Sequence, residues 1–302
     1  MTLYTQIGSN LRKTWLLMSF FFIFIIALGW LFSYVYDSEE ILIFAILLSV
    51  FSGFFSYWFS DKIVLGLSHA KEIKKSDAPE LYRLVENLCI TAGLPLPKIY
   101  IIDETAPNAF ATGRDPKHAV VAVTRGLLEK LEKVELEGVI AHELSHIGNR
   151  DMLLQTLVVI LAGTIVMLSN MFLRMNFFRG AKRRNNDRGG GQLELILLVF
   201  TIIAAILAPI AATLIRLAIS RKREFLADAS GAMLTRYPDG LARALEKISA
   251  DQTPLRVATK ATTHLYISNP FKGKQAVDWF TKLFSTHPPI QERIRALREM
   301  SV

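Results

Sequence analysis

Four stretches of this 302-residue chain carry no Asp, Glu, Lys or Arg over the length that a bilayer's hydrocarbon core demands of a helix: Thr14–Tyr36, Ile41–Ser60, Met152–Leu173 and Leu195–Ile215. Each reads as a membrane helix. Buried core helices are the competing explanation, but a soluble core seldom needs four of this length. Trp15, Tyr34, Tyr36, Tyr57 and Trp58 also sit near segment ends, where an interfacial aromatic belt lies. Pro209 is placed to kink the fourth segment. With 51% hydrophobic residues and a mean hydropathy of +0.32, the whole chain is apolar for a soluble protein and moderate for a polytopic one, so polar domain and membrane segments share it.

The first segment is long, lacks a small-x-small cleavage site and is followed at once by a second apolar run, which reads as an uncleaved anchor rather than a signal peptide. Cys89 is the only cysteine, so an intrachain disulfide and a cysteine metal cluster are both excluded, and a reducing compartment is expected. A net charge of +8 without an RNP-like, zinc-finger or helix-turn-helix signature favours anionic lipid over nucleic acid as the partner.

No internal repeat is visible. The chain divides into a membrane hairpin (1–60), a polar stretch (61–150), a second hairpin, spanning or membrane-embedded (151–221), and a C-terminal polar stretch (222–302), the two polar stretches forming one domain. The fold class expected is mainly α with a small β-sheet. Pro79–Leu94, Gly126–Lys133, Val134–Arg150, Pro238–Ser249 and Pro288–Met300 have helical patterns, and Lys98–Ile102 and Ala119–Val123 read as strands. Arg12 and Lys13 before the first apolar segment, and Lys62, Lys71, Lys74 and Lys75 after the second, put the polar domain in the cytoplasm. The basic residues Arg174, Arg179, Lys182, Arg183, Arg184 and Arg188 oppose this, because full spanning would put them outside. Either the earlier helices dominate, or the second hairpin is only partly embedded. Gly189, Gly190 and Gly191 read as a linker, since no Gly-Lys-Ser/Thr ending of a phosphate loop follows them.

Within the helical stretch before the third apolar segment stands His142-Glu143-Leu144-Ser145-His146. Residues four apart share a helix face, so both imidazoles can reach one metal at the roughly 2.0–2.1 Å that zinc requires. Glu143 then serves as general base toward a water whose pKa zinc lowers to about 7. With six histidines in the chain this pattern is uncommon by chance, and the apolar positions Leu136, Val139, Ile140, Leu144 and Ile147 supply the helix it needs.

A catalytic zinc needs a third protein ligand, for which carboxylates are good candidates. His146 lies just before the third apolar segment, and a return segment of similar length brings the chain back to the same level near residues 216–224. Glu224 waits there as third ligand. Asp228, one turn further along the same face, is placed to hold the far nitrogen of a zinc-bound histidine. Without the upstream motif both would read as a solvated face beside Arg221 and Arg223.

Taken together these residues resemble the HtpX-type integral-membrane zinc metalloproteases, within the gluzincin group that includes the CAAX prenyl endopeptidases and Oma1-like proteases. The resemblance covers nearly the whole chain: paired apolar segments, His142-Glu143-x-x-His146 before the third, Glu224 and Asp228 after the fourth, and His287-Pro288-Pro289-x-x-x-Arg293 near the end. It implies a zincin-like cytoplasmic catalytic domain with one Zn2+ per chain. It further implies an edge strand for substrate at Asn108, Ala109, Phe110, Ala111, Thr112 and Gly113, and an oxyanion-stabilising role for His287. On the residues alone, the 108–113 segment could equally be a connecting turn, and His287 could simply precede a proline-led helix. The function implied is an endopeptidase that cleaves misfolded or damaged membrane proteins at the cytoplasmic face of a bacterial inner membrane. A scaffold with structural zinc is disfavoured because three ligands leave a position open. A transporter is disfavoured because the apolar segments lack ionisable residues.

Overall fold

The computed structural model describes residues 3–158, 160–161, 221–258, 262, 265–270 and 288–300. Beyond residues 151–158, 160–161 and 221, the expected second hairpin lies outside the described residues, as do the basic loop and His287. The chain is mostly helical, with one small mixed sheet.

Two long apolar helices open it. α1 (Leu3–Tyr36) and α2 (Glu39–Trp58) pack against each other across a tight turn at Asp37, which takes a left-handed φ of 49°. Glu39 and Glu40 occupy the first turn of α2, where the helix dipole favours negative charge. Only 28% of the most apolar part of α1 and 17% of α2 is buried. Trp15, Ile23, Trp30, Ile43, Phe44, Leu47 and Phe51 each expose more than half of their surface. A core helix would bury these faces, and water disfavours an apolar patch of this extent; hydrocarbon is the solvent that suits them.

After Phe59 the chain continues as a short amphipathic helix, α3 (Ser60–Leu67), which buries Val64 and Leu65 under the sheet. The sequence reading ended the second apolar segment at Ser60 and named no helix over residues 61–67. The sheet has the order β1-β2-β4-β3. β1 (Lys71–Glu72) pairs antiparallel with β2 (Lys98–Ile102), β2 runs parallel to β4 (Ala119–Thr124), and β3 (Ala109–Gly113) pairs antiparallel with β4. β3 is therefore an edge of the sheet.

Strand periodicity sorts β4 between two cores. Val121 and Val123 face the helical side with Leu84, Val139 and Leu245, while Val120 and Ala122 face the cluster containing Val64, Leu255 and Tyr266. Both faces are covered, which explains why β4 reads as an unbroken apolar run.

α4 (Pro79–Ala92) starts with Pro at its first position, buries Leu81, Leu84, Val85, Leu88 and Cys89, and stops at Gly93. A brief α5 (Arg125–Lys130) precedes the central helix, α6 (Lys133–Gly148). Glu132 caps α6 reciprocally with Glu135, and this box separates the two helices where the apolar pattern alone blurs the boundary.

α6 is buried almost all round, against α7 (Arg221–Thr235) and α8 (Pro238–Ala250), with α9 (Ile290–Arg298) behind. Close approach depends on two glycines. A Cβ on Gly138 would lie 2.7 Å from the Leu241 nitrogen, and one on Gly231 would lie 3.0 Å from the His142 nitrogen. Gly231 thereby sets how near α7 comes to the histidine helix. Gly138→Ala should lower stability by about 1–3 kcal/mol through overpacking against the α8 backbone, read as a lower denaturant midpoint in detergent; an unchanged midpoint would show that α8 can yield.

Candidate active site

α6 carries His142 and His146 one turn apart, with their rings perpendicular and centroids 4.7 Å apart. Both side chains are buried, and their Nε2 atoms lie 3.1 Å from each other. The opposite ring edges face carboxylates. Nδ1 of His146 lies 3.1 Å from each carboxylate oxygen of Asp151. Asp228 Oδ1 lies 2.9 Å from Nδ1 of His142, in contact but off the line of a good N–H hydrogen bond.

Carboxylates at both Nδ1 atoms favour the tautomer that protonates them there, which turns two Nε2 lone pairs toward each other. Such a pair calls for a proton or a metal cation between its two nitrogens. Glu224, from α7, closes the group, with Oε1 3.8 Å from His146 Nε2 and Oε2 4.0 Å from His142 Nε2. One donor atom from each of the three residues falls within 4.8 Å of the others. Tetrahedral zinc with donors at 2.0–2.1 Å holds them roughly 3.3 Å apart, so these residues fit such an ion with a small inward movement of Glu224.

The end of α6 explains how Asp151 arrives. The Arg150 N–H donates to Ile147 O and the Asp151 N–H to His146 O, while Arg150 adopts a left-handed φ of 53°. This is the hydrogen-bond pattern of a left-handed helix stop, and it folds the residue just past the helix back beneath the last histidine. The sequence reading assigned Asp151 no role. Its signal was faint, because the spacing of five from His146 belongs to no helical face.

Electrostatics follow from this geometry. Burial alone would lower the His146 pKa, but Asp151, Glu224 and Glu143 outweigh it and push it up to about 10. A field that favours a proton here equally favours a metal cation. His142 shifts the other way, lowered by burial and by Arg293 despite its contact with Asp228. Glu143 is buried, and its carboxylate accepts the N–H of Ala111 on β3. Burial, joined by the charge of Glu224, pushes its pKa up to about 7, a range suited to moving protons in neutral solution.

Asp228 has a stronger partner than His142. Arg293 of α9 grips it with two parallel bonds, Nε to Oδ2 at 2.8 Å and Nη2 to Oδ1 at 2.7 Å, and donates through Nη1 to Ile267 O. Burial works against the charge of Asp228, yet the guanidinium holds its pKa down at about 2. The same guanidinium stands 3.8 Å from Glu224. Arg293 belongs to the terminal motif, but its partner could not be read from the sequence.

The 108–113 segment lies directly beside Glu143. Asn108 faces β4, since its carbonyl accepts the Thr124 N–H, so the odd-numbered residues of β3 direct their backbone groups outward. Ala109 O is already taken by the Ile267 N–H, and the Asn108 side chain donates to Ser268 O. Segment 265–270 therefore covers the Ala109 end of the edge. Phe110 and Thr112 turn into the protein, toward Tyr266 and the Thr156 hydroxyl. Ala111 and Gly113 present the outer edge that remains.

The chain is a metalloprotease whose apolar helices suit it to a membrane. The sequence profile of Peptidase family M48 matches residues 75–301. The chain is 48% identical over 301 residues to a protease HtpX homolog of Dictyoglomus turgidum, covering 99% of this chain and 95% of that protein. It is 49% identical over 292 residues to another from Pyrococcus furiosus, covering 96% of each. It belongs to peptidase family M48. The crystal structure of S. mikatae Ste24p shares the fold, with a TM-score of 0.50 at 20% identity over 97% of this chain and 67% of that one.

Replacing Asp151 with Ala should weaken metal binding by about 10–100-fold, because the imidazole of His146 loses the group that orients it. Competition with a chelator measures this; unaltered affinity would reduce Asp151 to a bystander. Arg293→Leu strands the buried Asp228 charge and should cost about 3–5 kcal/mol of stability, read from the thermal or denaturant midpoint.

Proposed function

We propose that this protein is a zinc endopeptidase that cleaves misfolded or damaged membrane proteins at the cytoplasmic face of a bacterial inner membrane. One observation carries the reading: three buried donors converge beside a buried carboxylate that touches a sheet edge. His142, His146 and Glu224 would hold one zinc per chain. Bound there, zinc supplies a Lewis acid for the scissile carbonyl and acidifies a water.

The chain's own groups do the rest. Glu143 accepts the proton from the attacking water and returns it to the leaving amine. The outer edge of β3, at the Ala111 carbonyl and the Gly113 backbone, pairs with an extended polypeptide backbone, which selects unfolded segments over folded ones. The Ala111 N–H already binds Glu143, so strand and base are held in register with each other. Asp228 and Asp151 orient the two imidazoles from behind. His287 is assigned to the developing oxyanion on the strength of the family resemblance alone.

Substrate class and orientation rest on the hairpin. α1 and α2 keep the catalytic domain at the membrane surface, where exposed loops of membrane proteins are within reach, and the basic residues flanking these helices favour the cytoplasmic side. The division into a hairpin at 1–60, catalytic parts at 61–150 and 222–302 and a second hairpin at 151–221 belongs to the same proposal.

The experiment is zinc analysis of detergent-purified protein together with cleavage of an unfolded model substrate. Glu143→Gln should keep about one zinc per chain and lose cleavage by at least about 100-fold, whereas Glu224→Ala should lose both metal and activity. Zinc held equally by wild type and both variants, with cleavage by none, would instead indicate a binder. Glu143 works as a base only when deprotonated, so kcat/KM should fall as pH drops, with a midpoint no higher than about 7, because a nearby cation moves this limb downward. An acid limb with a midpoint above about 7, or one that persists unchanged in the residual activity of Glu143→Gln, would remove Glu143 from that role.

A further inference from the structure

The end of α2 nearest the catalytic domain borders a hollow of about 540 Å³ that the proteolytic site does not use. Its walls are Phe54, Trp58 and Phe59 from the helix end, Asp61 and Lys62 from α3, and Arg114 and His118 from the link between β3 and β4. The position sets the depth. α2 has 20 residues, about 30 Å at 1.5 Å per residue, which matches the hydrocarbon thickness. With Glu39 and Glu40 at one interface, Trp58 marks the other, on the side of the catalytic domain.

Two cations lie at that level. Lys62 is exposed, with its ammonium 5.2 Å from the centre of the Phe59 ring. Among the described residues no carboxylate comes within ion-pair distance of it. The Arg114 guanidinium stacks 4.4 Å over Trp58. Arg114 is steadied by His118, 2.8 Å away, and by Asp115, 3.4 Å from its Nε, and Asp115 also holds Nδ1 of His118. These contacts occupy part of the fork and leave further N–H donors. Lys62 and Arg114 stand against Asp61 and against Asp115, the ion-pair partner of Arg114, so the local charge is level when His118 is neutral and Lys62 is the cation without an ion pair among the described residues.

We propose that this hollow binds the headgroup of a membrane glycerophospholipid, with its phosphodiester between Lys62 and Arg114 and its glycerol and upper acyl chain along Phe54 and Trp58. One phosphodiester carries one negative charge, which meets the ammonium of Lys62, while Arg114 offers its remaining N–H donors. The aromatic wall suits the lipid rather than a free phosphate ion, which would gain nothing from it. Arg114 directly follows Gly113, so the bound lipid also tethers the membrane end of β3. The site does not depend on the zinc reading.

The test is native mass spectrometry of the full chain in neutral detergent, with three probes: phosphatidylglycerol, diacylglycerol of the same chains, and glycerol phosphate. Wild type should retain phosphatidylglycerol and neither of the others. Lys62→Gln, an exposed change that leaves the lipid-free thermal midpoint unchanged, should weaken that retention about tenfold, and Arg114→Gln should do so at least as much. Equal retention of diacylglycerol, undiminished phosphatidylglycerol binding by Lys62→Gln, or equally tight binding of glycerol phosphate would each overturn the proposal.

Discussion

Everything around α6 answers one electrostatic problem, the gathering of negative charge inside a buried site. Glu143, Glu224, Asp228 and Asp151 are all buried, as are Arg223 and Arg293. With both imidazoles neutral, as metal ligands must be, four carboxylates against two guanidiniums leave two negative charges in a poorly hydrated space, which burial alone would penalise by several kcal/mol. A divalent cation among His142, His146 and Glu224 would offset that excess in sign and in magnitude. The surplus is thus a reason for metal affinity as well as a tuning device for Glu143, and the two arise from the same placement of charge.

That solution extends into the membrane hairpin. Asn10 of α1 is buried and donates through Nδ2 to Asn149 O, at the end of the histidine helix, while Arg223 donates to its Oδ1. Asn149 immediately precedes the reversed turn that delivers Asp151 to His146. The first apolar helix is therefore joined by polar bonds to the segment that orients a metal-facing imidazole. This makes the hairpin a part of the site's architecture as well as its attachment to a bilayer.

Much of the fold was legible in one dimension because its signals are local. α4 shows its apolar stripe, its opening proline and its closing glycine, and β2 and β4 match the strands read from sequence to within a residue. β3 carried no such signal. All five of its residues are buried, so no alternation of polarity marks it, and only family resemblance singled it out. α3 is only eight residues long, too short for its periodicity to stand out, and was not named from the sequence. The same distinction divides the site. His142, Glu143 and His146 sit on one helix with a recognisable spacing, and Glu224 followed from the length of the intervening segments. Asp151 and the partner of Arg293 depend on a turn and on the docking of α9, which no spacing encodes.

By itself the sequence determined the chemistry available: two imidazoles and a carboxylate on a single helix, further carboxylates on a later one, and apolar segments long enough for a bilayer. These are properties of residue type and periodicity, carried by neighbours in the chain. Tertiary structure decided how that chemistry is tuned. It brought α7 against α6 at Gly231, locked Asp228 to Arg293 across 65 residues of chain, and set Glu143 against Ala111 on the sheet edge. A pKa, a tautomer and a metal's donor spacing depend on distances of a few ångströms between remote residues, and only the packed fold sets those distances.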